Sequence, residues 1–365
     1  MARQFTIGRI AGIEIHLHYS WFFIFILLAW GLSSGYFPSQ VPGGSQLTYI
    51  ILGSISALFL FVSVLLHELA HSIVAKMCKL PVHGISLFFF GGISQIPDEK
   101  TKPGIEIAMA GAGPAFSLIF SSLLYLTIPF VTWPELQAVI GYLAIINLLL
   151  GMFNLMPAFP LDGGRILRAV LWWKTGNLDI ATTAAAKSGK FFATMLIFLG
   201  IFGAFSGLAI SSSVWFILIG GFIYVMAEAS VEQVVIRKSL SKVTVADVIV
   251  KKPGHVEPSD TLKQVVETLF MHEPHEAYPV MERKKFIGVL RTKHLSATPK
   301  ELRASMSVKE AMTKAKLKAS PKDRVYPLLS KMIQKDQPLV PVYYNKRFVG
   351  IVRQADIVKY IRMQA

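Results

Sequence analysis

Between Glu14 and Glu68 the chain carries no Asp, Glu, Lys or Arg. An ordinary soluble domain does not leave such a stretch uncharged. It is long enough for two crossings of a hydrocarbon core, at about 20 residues each. Cysteine is nearly absent too. Cys78 stands alone, which excludes an internal disulfide and points to a reducing compartment for the tail. Acidic residues are few, 22 against 37 Lys and Arg, and the imbalance is local. From Arg237 onward there are 26 Lys and Arg against 12 Asp and Glu, nearly all of the +15 formal charge. These charges are interspersed with apolar residues rather than blocked. The tail therefore reads as a solvated globular domain, with no nucleic acid as partner.

What is present is mostly apolar: 53% of the 365 residues are hydrophobic and the mean hydropathy is +0.51. Apolar segments near 19–34, 48–77, 105–129, 137–156, 190–209 and 211–230 predict six transmembrane helices. Arg3 and Arg9 precede the first, which reads as a retained span rather than a cleaved leader. The linkers near 35–47, 129–137 and 205–213 lack Lys and Arg, whereas the alternate ones carry Lys76, Lys79, Lys100, Lys102, Arg165, Arg168, Lys174, Lys187 and Lys190. The positive-inside rule then places both termini in the cytoplasm of a multi-pass cell-membrane protein.

Two stretches depart from the helical pattern. "QFTIGRIAGIEIHLHYS" alternates with a strand period and belongs at the membrane surface, with His16 and His18 interfacial. "HGISLFFFGGISQIP", 83–97, is too short to cross and is broken by Gly91 and Gly92. It reads as strands or a re-entrant loop, tolerable only where protein or a water-filled cavity satisfies its backbone. The tail holds a repeat: "FIGVLRTKHL" at 286–295 matches "FVGIVRQADI" at 348–357, and the same 62-residue offset relates Pro279 to Pro341. Two such α/β units should pack as one domain. The expected division is 1–238 for the membrane domain and 239–365 for the tail, with repeats at about 242–298 and 304–363.

The second apolar segment contains "HELAH", an H-E-x-x-H pattern. On a helix, His67 and His71 lie one turn apart on one face, so both imidazoles reach one cation. Charged and polar residues inside a span are costly and by default functional. A zinc ion accepts two imidazoles and a carboxylate while leaving a position for water, and Glu68 is placed to move that water's proton. A third ligand must come from elsewhere, and Asp162 in "NLMPAFPLDGGR" is the best candidate. Asp162 follows span four, which runs in the same direction as span two, so it falls at the depth of the histidines; capping the helix "GGRILRAVLWW" is its other reading. Asn154, near the end of span four, suits either an oxyanion contact or a helix hydrogen bond. Glu228, Glu232 and Cys78 have structural explanations as they stand.

"HELAHS", "FNLMPAFPLDGGR" and "GAGPAFS" at 111–117 together resemble the site-2 protease family of intramembrane zinc metalloproteases. The resemblance implies His67, His71 and Asp162 as ligands of one zinc ion per chain, Glu68 as catalytic base and Asn154 as substrate or oxyanion contact. It also implies hydrolysis of a peptide bond inside a transmembrane protein substrate, within the lipid bilayer. The tail resembles a tandem pair of cystathionine-β-synthase-type (CBS) domains, which implies ATP or another adenine nucleotide in its cleft and a homodimer through the pair. In that family a Thr and an Asp close the strand motif. Here the second repeat keeps Asp356 but has Arg353 for the Thr, and the first has Arg291 and His294 in both places. A CBS-regulated ion transporter is the alternative, disfavoured because the spans offer few acids besides Glu68.

Overall fold

The computed structural model describes residues 4–82, 84–88, 91–94, 101–207, 210–270, 274–283 and 285–364, and the chain divides into two compact units, Met1–Glu232 and Gln233–Ala365. Among the described residues six helices are long and apolar enough to cross a membrane: Ser20–Gln40, Gln46–Met77, Pro103–Phe130, Pro134–Asn154, Leu178–Phe205 and Ser212–Leu240. Large apolar side chains turn outward along them, among them Phe23, Trp30, Phe198 and Phe202. Tyr125, Phe130 and Trp133 cluster at one connection, as interfacial aromatics do. The expected helices are all present; the fifth begins twelve residues earlier than its apolar run, because Asn177 caps it by accepting from the amides of Asp179 and Ile180.

The first span consists of α1 (Ser20–Gly31), a π-helical turn (Leu32–Tyr36) and α2 (Phe37–Gln40). The second is α3 (Gln46–Met77), whose N-terminus is capped by the Ser45 hydroxyl. Its 32 residues span about 48 Å, more than a hydrocarbon core, so His67 and His71 sit near its far end. Before and after these spans lie β1 (Gln4–Ile10), β2 (Ile13–His18), β3 (Ile85–Phe88) and β4 (Gly91–Ser94). They form one sheet in the order β1-β2-β3-β4, with β2 and β3 parallel and the other pairs antiparallel. The expected surface strand and the expected strands after span two thus join, although 83, 89–90 and 95–97 lie outside the described residues. Ile13, Leu17, Ile85 and Leu87 pack on Leu69, inside the H-E-x-x-H stretch. The Lys76 ammonium also donates to the Ala11 carbonyl at 2.6 Å, tying the β1–β2 turn to the end of α3.

The third and fourth spans are α4 (Pro103–Thr127) and α5 (Pro134–Asn154); α6 (Asp162–Thr175) follows as a short helix outside the six spans. Asp162 is the first residue of α6 and Leu161 occupies the cap position, so the capping role open to Asp162 is not the one it plays. The last spans are α7 (Leu178–Phe205) and α8 (Ile210–Leu240).

The tail consists of α9 (Val245–Val248), α10 (Leu262–Val265), β5 (Ala277–Glu282), β6 (Lys285–Arg291), α11 (Thr292–Ala297), α12 (Val308–Ala311), α13 (Val325–Gln334), β7 (Leu339–Tyr344), β8 (Arg347–Arg353) and α14 (Gln354–Gln364). The hairpins β5–β6 and β7–β8 share one register and bulge at equivalent places, Val280/Met281 and Val342/Tyr343. Phe286 stacks on Phe348 between them, with ring centroids 5.8 Å apart. The repeats exchange segments. Val245 and Val248 enter the core of the second repeat, and Val250 bridges to Ile351. Reciprocally, Val308 enters the core of the first, and Thr313 bridges to Val289. Each exchanged turn carries a capping box, Thr244 with Asp247 and Ser307 with Glu310.

Candidate metal centre

Three side chains from two distant parts of the chain converge. The Asp162 Oδ2 lies 3.2 Å from His67 Nε2 and 3.1 Å from His71 Nε2. All three ligand atoms fall within 4.8 Å of one another, and all three residues are buried. The two imidazoles stand edge to face, 4.9 Å between centroids, as neighbours one turn apart on α3.

The remaining ring nitrogens are held by α4. His71 Nδ1 lies 2.6 Å from the Met109 carbonyl, which can only accept. Nδ1 of His71 therefore carries the proton, and in the neutral ring Nε2 presents a lone pair. His67 Nδ1 is bonded to the Ser117 hydroxyl at 2.9 Å. An imidazole lone pair and a carboxylate oxygen at 3.1 Å are two acceptors facing one another, an arrangement satisfied by a proton on Nε2 or by a metal cation between them. Space is made for it by Gly113. A Cβ there would come within 2.2 Å of His71 Nε2 and 2.6 Å of His67 Nε2. Two imidazoles, one carboxylate and orienting partners on the far nitrogens fit a zinc donor set.

Glu68 lies against the sheet: a Cβ on Gly92 of β4 would meet its Cγ at 2.4 Å and its Oε1 at 3.3 Å. Asn154 closes α5, and its Nδ2 donates to the Leu150 carbonyl one turn back at 2.9 Å, the helix bond that was one of its two readings. His16 and His18 face Thr6 and Ser20, and Glu228 pairs with Lys190, all outside the cluster. In the tail, Arg353 holds Asp356 through two bonds of 2.7 and 3.1 Å. Its counterpart Arg291 reaches the other repeat, binding Asp336 at 2.8 and 2.9 Å. The sequence reading missed Met109, Gly113 and Ser117 at the centre. The last two lie in "GAGPAFS", whose small residues were noted without their place beside the imidazoles.

Residues 55–136 and 130–199 match the family model described as Peptidase family M50, and 245–298 and 308–363 match the CBS domain. Rip3 of Mycobacterium tuberculosis is 33% identical over 371 residues, 99% of this chain and 93% of that protein. The chain belongs to peptidase family M50, the site-2 proteases. Another relative of this M50 chain is the zinc metalloprotease MJ0392 of Methanocaldococcus jannaschii, 30% identical over 356 residues, 96% of this chain and 94% of that one. Among solved structures, a site-2 protease from Methanocaldococcus jannaschii is 32% identical and covers 63% of this chain and 95% of its own, with a TM-score of 0.45. As in its family, the M50 chain is an integral membrane protein, here with a CBS pair at its C-terminus.

Proposed function

We propose that this M50 chain hydrolyses a peptide bond within or near a transmembrane segment of another protein. In this reading His67, His71 and Asp162 hold one zinc ion, Glu68 moves protons and Asn154 contacts the oxyanion. The observation that carries it is the convergence of three ligand atoms within 4.8 Å, from an H-E-x-x-H helix and a residue more than 90 positions away. When bound, the zinc polarises the scissile carbonyl and acidifies the attacking water.

The chain's own residues do the rest. Ser117 and Met109 fix the imidazoles, so the two Nε2 atoms stay aimed at one point. The Glu68 carboxylate, which lies against Gly92, takes the water's proton and delivers it to the leaving amine. An amide carries a second Nδ2 proton, and that of Asn154 is the donor for the developing oxyanion. An intact substrate helix hides its amides, so the substrate must unwind. Among the described residues β4 is the last strand of its sheet and lies at Glu68, which suits it to pair with the unwound stretch by strand addition.

The division proposed is a protease domain, 1–238, and a regulatory CBS pair, 239–365. Both termini are cytoplasmic in this reading, supported by the basic alternate linkers. The pair binds adenine nucleotide at the second repeat, where ribose takes Asp356 from Arg353 and leaves that guanidinium for a phosphate. Occupancy alters substrate access, and two chains associate through the pair. Glu68→Gln tests the catalytic reading: it should retain zinc and lose cleavage of a model membrane substrate. Parent-like cleavage by this variant removes Glu68 from the mechanism.

A further inference from the structure

One buried ion pair lies outside the machinery just described. Arg168 of α6 donates through Nε to Glu106 Oε1 of α4 at 2.7 Å, and its Nη2 bonds the same oxygen. Glu106 is 1% exposed and Arg168 5%. Removing both charges from water costs several kcal/mol per ion, and apolar residues of similar volume commonly hold a fold as well or better. Stability alone is a poor reason for this pair.

Its position suggests another. On α4, Glu106, Met109, Gly113 and Ser117 recur at spacings of three and four, so they share one face. Met109 fixes His71, Gly113 makes room for both imidazoles, and Ser117 fixes His67. The same face ends in the carboxylate that grips α6. On α6, Arg168 stands six residues after Asp162, about 9 Å along the helix. Its guanidinium also lies 5.1 Å above the Phe159 ring, in the segment that leads into Asp162. One helix face thus measures both histidines and, through Arg168, the helix that carries the third ligand.

We infer that Glu106 and Arg168 are positioning residues: their directional ion pair sets the rotation and depth of α6, and so the placement of the Asp162 carboxylate against His67 and His71. Metal affinity and turnover depend on the pair, whereas substrate binding does not. The inference rests on the metal-centre reading above.

The full-length chain is compared with Glu106→Gln, Arg168→Lys and the apolar double variant E106L/R168M. Zinc affinity is measured by chelator competition, ligand geometry by the visible absorption of the Co2+-loaded protein, and folding by thermal melts. Turnover is split into kcat and KM on a model membrane substrate. Zinc affinity should fall about 10–100-fold in all three variants, the effect usual for partners that orient metal ligands. The cobalt spectrum should change and kcat fall with KM held, while the double variant melts no earlier than the parent. Parent-like zinc affinity, cobalt spectrum and kcat in R168K or in the double variant overturn the inference. His67→Ala separates the two failures. If it keeps zinc as the parent does, the metal-centre reading falls and this inference with it. If it loses zinc while the Glu106 and Arg168 variants keep theirs, only this inference falls.

Discussion

A Cβ placed on Gly113 would lie 2.2 Å from Nε2 of His71, in the space that the proposed cation would take beside Asp162. Gly113→Ala therefore acts on the metal rather than on the fold. We expect at least ~10-fold weaker zinc binding, on the scale of other losses next to metal ligands. The change in melting temperature of the zinc-free protein should be small, because alanine favours a helix over glycine by about 1 kcal/mol. Chelator competition and thermal melts of the zinc-free variant check this; unchanged zinc affinity contradicts it.

Gly92→Ala makes the complementary case. Its Cβ would meet Glu68 Cγ at 2.4 Å and push the carboxylate aside while leaving both imidazoles untouched. Zinc content should stay at the parent level while kcat falls, by roughly 100-fold if proton transfer at Glu68 is the step lost. Metal analysis and cleavage assays on one preparation separate the two effects.

Acid should weaken the tail through Asp336. The Arg291 guanidinium, and then Lys293, hold its carboxyl well below the usual carboxylate range. A lowered folded value means that stability is present above the unfolded value, about pH 3.9, and lost as pH falls through the folded one. Melts of the full chain should show Asp336→Asn less stable than the parent at pH 7, with the gap closing below about pH 4. Solvent reaches the pair from the Asp336 side and screens it, so the gap stays under about 1 kcal/mol. A gap that persists undiminished under acid would contradict the assignment.

Arg353→Thr places the CBS family's residue beside Asp356 and removes the guanidinium that now holds it. Adenosine, which offers ribose without phosphate, should bind a few-fold tighter, about 1 kcal/mol for a released ion pair. The advantage of ATP over adenosine should shrink, since the guanidinium proposed to meet a phosphate is gone. Calorimetric titration with both ligands reads this, and identical affinities before and after the substitution rule out a ligand at Asp356.

Six spans, the H-E-x-x-H helix and Asp162 were legible in the sequence because each rests on local rules: hydropathy over about 20 residues, one-turn spacing, and a carboxylate beside a helix break. The repeat was legible too, since a 62-residue offset needs no coordinates. Other features depend on contacts between distant segments. Nothing local pairs Ile15 with Ile85 in parallel, or sends Val245 into the core of the second repeat. The Met109 carbonyl is invisible by nature, because any residue could supply it. Gly113 and Ser117 were visible only as small residues for helix packing, and their meaning appears once α4 lies across the imidazoles.

The central claim is that one metal ion is shared by α3 and α6. Its most direct test is metal content of the purified full-length chain beside His67→Ala and Asp162→Ala. The account predicts one zinc per parent chain and its loss in both variants. Parent protein without zinc, or zinc retained when Asp162 is replaced, would contradict it.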